Sequence, residues 1–174
     1  MILNERESRQ EFFTNAVRQI MTVIRTAPKA KGLDIIEAAA VTGDDIRVLA
    51  EKTKAIGEEK GLKFLLRDAE NIMSAGAVLL VGTRAQNIGL NCGHCGFSAC
   101  GEKPASAPCA INTIDVGIAL GSACAAAADL RLDTRLMLSV GLAAQKLNWL
   151  GDCQTVFAIP ISISSKNPFF DRGK

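Results

Sequence analysis

Apolar residues recur three and four apart between Phe12 and Ala27, at Phe13, Ala16, Val17, Ile20, Val23, Ile24 and Ala27, which predicts a helix that Pro28 stops. The apolar stretch Ile35 to Val41, broken only by Glu37, is short enough for a strand. Thr42 and Asp45 then have capping-box spacing ahead of a helix whose inner face would carry Ile46, Leu49, Ala50 and Thr53, with Gly57 and Gly61 bracketing its end. Phe64, Leu65, Ala69, Ile72 and Met73 predict a third helix. "GAVLLVG", residues 76–82, is a continuous apolar run bounded by glycines, typical of a strand buried on both faces. After a glycine-rich loop come helices from about Ile111 to Ala128 and from about Thr134 to Leu147. A last strand, "TVFAIPISIS", contains Pro160, which lacks a backbone N–H and points to a strand end or sheet edge. The expected fold class is α+β: one domain, 1–174, with a small sheet covered by long helices; a small doubly wound sheet fits the same alternation.

Composition narrows the partners. With 48% hydrophobic and 22% charged residues in 174, the chain has a full-sized core and needs no disulfide staples. A net charge of +2, scattered along the chain, offers no nucleic-acid surface and no polybasic membrane patch. Glu5, Arg6, Glu7 and Arg9 interrupt the segment where a signal peptide needs an apolar run, so a reducing, cytoplasmic compartment is expected. The uncharged run Val116 to Ala128 is too short for a bilayer and reads as a buried helix.

The chemistry concentrates in the loop 90–110, "LNCGHCGFSACGEKPASAPCA", which holds Cys92, Cys95, Cys100 and Cys109. In a reducing compartment, clustered cysteines hold a metal or do redox chemistry more often than they form structural disulfides. Thiolates around a compact centre require the backbone to curl, and Gly93 and Gly96 permit the positive φ angles that a curl needs. Three closely spaced cysteines with a fourth further on suit an iron–sulfur cluster. Structural zinc wants two Cys-x2-Cys knuckles, and only one is present. Iron–sulfur, zinc and free or disulfide-bonded thiols all stay open on the residues alone. His94, the only histidine, lies between two proposed ligands and reads as a neighbour of the centre, while Cys124 and Cys153 read as small core residues. Asp115, Asp129, Asp133 and Arg135, with Asp171 and Arg172 at the end, read as caps and surface pairs.

"NCGHCGFSACGEK" and "PCA", followed by "IDVGIALGSACAAAADLRLDTRLMLSVGLAA" and "IPISISSKNPFFDR", closely resemble a family of uncharacterised prokaryotic proteins described as containing a ferredoxin domain. The opening Asn91 to Gly96 also resembles the Asn-Cys-Gly-x-Cys-Gly start of small four-cysteine iron–sulfur modules. That likeness implies Cys92, Cys95, Cys100 and Cys109 as ligands of a 4Fe-4S cluster, with a shorter gap before Cys109 than the modules have. A weaker likeness links the layout to FMN-dependent nitroreductases. It implies a nitroreductase-like sandwich, a homodimer, and an FMN phosphate held by Arg6, Arg9, Lys29 and Lys31, with lysines standing where that family has polar residues. Gly117, Gly121, Ala125 and Ala128 would let one helix approach a second copy closely.

Two functions follow. One is an iron–sulfur redox protein, transferring electrons to or from a protein partner or assisting a flavin in reducing a substrate; no Gly-x-Gly-x-x-Gly follows a strand, so direct use of NAD is not indicated. The other is a non-enzymatic module, structural or sensory, in which zinc or an iron–sulfur cluster folds the loop.

Overall fold

In the computed structural model, which describes residues 2–170, the elements run α1 (Glu5–Thr26), β1 (Ile36–Val41), α2 (Asp44–Lys60), α3 (Lys63–Ile72), β2 (Ala77–Arg84), α4 (Ala110–Asp129), β3 (Asp133–Thr134), α5 (Leu138–Lys146) and β4 (Cys153–Ser162). Asp171 and Arg172 lie outside the described residues. The sheet order is β1-β2-β4-β3, and every pairing is antiparallel. A doubly wound sheet is therefore ruled out, since it is built on parallel strands.

The run 76–82 becomes the middle of the molecule because each of its two faces meets a helical layer. Ala77, Leu79 and Val81 point to one core, shared with Phe13, Ile20 and Ile24 of α1 and Val116, Ala119 and Leu120 of α4. Val78 and Leu80 point to the other, formed with Leu49 of α2, Leu65 and Ile72 of α3, and Val140 and Ala143 of α5. The period-two alternation of a strand thus sorts one apolar run between two cores. Ile46, Leu49, Ala50 and Thr53 all lie on the buried face of α2, as expected, whereas Phe64 and Met73 at the ends of α3 are exposed. Asp68 of α3, nearly buried, accepts from the Ser139 hydroxyl at 2.5 Å and from Arg67, tying α3 to the first turn of α5.

Several expectations need correction. α1 begins at Glu5 rather than Phe12, because the Asn4 side chain caps the Arg6 N–H and the first two turns are polar, with no apolar stripe to show them. Thr42 forms no capping box: Gly43 is the N-cap of α2, with no side-chain bond, and Asp44 and Asp45 face the positive helix end instead. Gly57 lies within α2, pressed against Leu65, and Gly61 alone ends it. The segment expected as a helix from Thr134 opens with β3 and a bridge from Met137 to Ala158, and α5 starts at Leu138.

Pro160 sits neither at a strand end nor on an edge strand; it pairs with Val78 in the middle of the sheet. The Ala158 N–H donates to Met137, away from β2. Two residues on, the missing N–H of Pro160 would point the same way, into the gap between the Ala158 bridge and the β3 pairing at Ile161 and Ser162. No ladder bond is lost.

Cys153 opens β4 as a buried core residue, and its thiol is pushed from the ordinary 9.0 up to about 11, first by burial and then by the nearby carboxylates of Glu37 and Asp152, with Arg84 opposing. The raised value means that stability is fully present below about pH 9 and is lost as the pH climbs towards 11, where the unfolded chain ionises first. With no tyrosine in the chain to titrate in the same range, the Tm between about pH 8 and pH 10.5 should fall more steeply in the native chain than in Cys153→Ala. Equal slopes would refute the assignment.

Candidate metal centre

Residues 85–109 leave β2 and return to α4 with only a 3-10 turn, Cys100–Glu102, between them, and none belongs to either hydrophobic core. The path of this loop is instead set by backbone conformation and side-chain straps. Asn91, Gly93 and Gly96 have φ of 49°, 73° and 87°, so the chain coils left-handed around its first two cysteines. Asn87 donates to the Cys100 carbonyl at 2.8 Å, and Asn91 accepts from the Cys100 N–H at 2.8 Å. Lys103 donates to the carbonyls of Ala107 and Pro104, closing the far side.

The result is a single small cavity onto which Cys92, Cys95, Cys100 and Cys109 all open. Ile88, Leu90, Phe97 and Lys103 are among the other residues of its wall. All four thiols are free. Cys109 is the N-cap of the 20-residue α4, so its sulfur sits at the positive end of that helix, a favourable place for an anionic centre. Among the described residues, no three His, Cys, Asp or Glu side chains converge as the ligands of one ion would. Four cysteines on one cavity wall have the all-thiolate chemistry that an iron–sulfur cluster takes, and they are not drawn together as a ready ligand set. His94 turns away: its Nδ1 donates to the Cys92 carbonyl, 3.0 Å away, and the residue is exposed.

The four cations expected around a flavin phosphate are not brought together within one chain. Arg6 and Arg9 lie in the first turns of α1, and Lys29 and Lys31 lie beyond its last, roughly 30 Å away along 22 residues of helix. Arg9 forms a two-pronged pair with Glu5 at 2.6 Å. Lys29 caps the end of α1 through the carbonyls of Ile24, Arg25 and Ala27, and its ammonium pKa is lowered, chiefly by burial. Lys31 donates to the carbonyl of Ile88, a residue of the cysteine cavity wall, at 3.0 Å. Of the four, only Lys31 adjoins the cysteine loop.

Asp115 is not a surface charge. It is buried and accepts from the Ala30 N–H at 3.0 Å, while Asn112, one turn earlier on α4, donates to the Gln86 carbonyl at 2.8 Å. These bonds join the basic turn, the start of the cysteine loop and α4 into one seam. Asp133 lies in β3 and Asp129 ends α4. Arg135 donates to the Phe169 carbonyl and covers the Phe170 ring at 5.0 Å, holding the C-terminal segment against α5. Cys124 is half-buried, its thiol pKa raised by burial and lowered in part by a bond with Thr134. Asn87, Asn112 and Lys103 carry no motif of their own; their only signal in the sequence is their nearness to the cysteines.

Residues 105–172 match the model of a family described as "Uncharacterized protein containing a ferredoxin domain (DUF2148)". That stretch includes Cys109 and lies beyond the other three loop cysteines. A protein of Archaeoglobus fulgidus, described only as uncharacterised, is 39% identical over 182 residues, covering 99% of this chain and 98% of its own. Among solved structures, nitroreductase CinD from Lactococcus lactis in complex with nicotinic acid is similar at a TM-score of 0.62 and 14% identity, covering 95% of this chain and 81% of its own. A nitroreductase with bound FMN from Desulfitobacterium hafniense is similar at a TM-score of 0.60 and 11% identity, covering 87% and 78%. At such identities the likeness is one of fold, and it bears out the expected nitroreductase-like arrangement.

Proposed function

Since the chain belongs to the family of uncharacterised proteins containing a ferredoxin domain and has a nitroreductase-like fold, we propose that it is an iron–sulfur redox protein holding a 4Fe-4S cluster on Cys92, Cys95, Cys100 and Cys109. The observation that carries this reading is that all four loop cysteines line one cavity. When bound, such a cluster accepts and releases one electron at a time. The chain's own part would be to bring the four cysteines to one cavity wall, where the Asn91 N–H donates to the Cys100 Sγ. The exposed Cys92 leaves one side of the site open to a protein electron donor or acceptor.

Combined iron, acid-labile sulfide, zinc and flavin analysis of anaerobically purified protein tests the reading. About four irons and four sulfides per chain, with visible absorbance bleached by dithionite, are expected. A colourless protein with one zinc and no sulfide would establish the structural alternative instead.

The second element of the proposal is a homodimer. The outward face of α4 carries exposed Ile114 and Ile118 beside Gly117 and Gly121, beyond whose backbone there is open space. The helix is long and apolar enough by length and composition to cross a membrane, yet its inner face fills the core against α1 and the sheet, leaving this outer face for a second copy. Light scattering is expected to give twice the 18.4 kDa chain mass; monomer mass across micromolar concentrations would overturn it. Only in such a pair could Arg6 and Arg9 of one copy meet Lys29 and Lys31 of the other around an FMN phosphate, the cofactor that the D. hafniense neighbour holds. Titration of the flavin-free dimer with FMN should quench flavin fluorescence, and no quenching up to about 1 mM would leave the cluster as the redox centre.

A further inference from the structure

Cys100 is held unlike the other three loop cysteines, and Asn91 does most of the holding. The Asn91 N–H donates to the Cys100 Sγ at 3.2 Å, and the Asn91 side chain accepts from the Cys100 N–H at 2.8 Å. Asn87, tied back to the Gly89 N–H at 2.9 Å, takes the Cys100 carbonyl. Sulfur, amide and carbonyl of one residue are thus all engaged by two asparagines that precede it by nine and thirteen positions. The left-handed φ of 49° at Asn91 is what lets its backbone N–H and its side chain reach the same residue, and asparagine is among the few non-glycine residues that adopt this conformation readily.

We infer that Asn91 is a positioning residue that orients the Cys100 ligand and sets the reduction potential of the cluster, an inference that rests on the cluster assignment above. A hydrogen bond donated to a ligating sulfur draws charge off it and favours the reduced, more negative state. The side-chain strap to the Cys100 amide keeps that N–H within reach of the sulfur. Without the strap, the two segments are joined only by the weak N–H to sulfur bond and the Asn87 bond.

Asn91→Gly keeps the left-handed backbone and removes the strap; Asn91→Asp keeps an acceptor oxygen. In the metal-free chain, the Cys100 amide should be protected from hydrogen exchange in the native protein, lose that protection in Asn91→Gly and regain it in Asn91→Asp. In the loaded protein, Asn91→Gly should hold the same initial iron and sulfide, release iron to a chelator roughly tenfold faster, and show a midpoint potential displaced to more negative values. A native Cys100 amide that exchanges as an open loop amide does, or an Asn91→Gly protein with native potential and native iron release, would overturn the inference. Should the native chain bind zinc or nothing, the cluster assignment fails by that result, and the exchange measurement on the metal-free chain still decides whether the strap exists.

Discussion

Cys95→Ser is expected to abolish the visible chromophore and bring iron and sulfide to background in protein purified and reconstituted without oxygen. The serine hydroxyl is a harder and far weaker ligand for iron than a thiolate, and the cavity offers no substitute: His94, the nearest other donor in sequence, faces the Cys92 carbonyl, and Cys124 and Cys153 lie in or against the cores. Cys124→Ser and Cys153→Ser should therefore retain the full cluster, which makes them controls for general thiol loss. Because residues 85–109 contribute nothing to either core, the helical far-ultraviolet signal of Cys95→Ser should stay near that of the native chain. A variant that kept full iron and sulfide would remove Cys95 from the ligand set.

Gly141→Ala is expected to be the most destabilising conservative change in the protein. A Cβ at this position of α5 would collide with the Val156 carbonyl oxygen and stand 2.6 Å from the Phe157 Cα, so it would meet the backbone of β4 rather than a side chain able to turn aside. Relief requires α5 to lift from the sheet, opening the core at Val140, Ala143 and Ala144. Overpacking of this kind costs about 3 kcal/mol or more, which for a chain of this length lowers Tm by roughly 10 °C. Calorimetry of Gly141→Ala beside the native chain measures the effect. A Tm for Gly141→Ala within about 2 °C of native would mean that α5 does not sit this close to β4.

Much of the helical content was legible because burial writes a period into the sequence. The stripe from Phe13 to Ile24, the face from Ile46 to Thr53 and the unbroken 76–82 run each record on which side the chain is covered. Where an element is uncovered, the record is blank, as in the first two turns of α1, which none of the described residues buries and which a local cap at Asn4 starts. β3, two residues long, exists only because Ile161 and Ser162 lie opposite it.

The sequence by itself determined the spacing of the four loop thiols, the positive φ that Gly93 and Gly96 supply, and the alternation that divides 77–81 between two cores, because each depends on neighbours along the chain. Tertiary structure alone decided the rest. It made the sheet antiparallel and put Pro160 inside it with its missing N–H turned to a gap, since strand order and register arise between segments eighty residues apart. It also separated Arg6 and Arg9 from Lys29 and Lys31, because a straight helix of 22 residues holds its two ends apart however similar their charge. Gly141 looks like any helical glycine until β4 is laid against it, and Asn91 like any loop asparagine until the chain coils Cys100 back within reach. Close approach and convergence are distances in space, and residue spacing limits them without setting them.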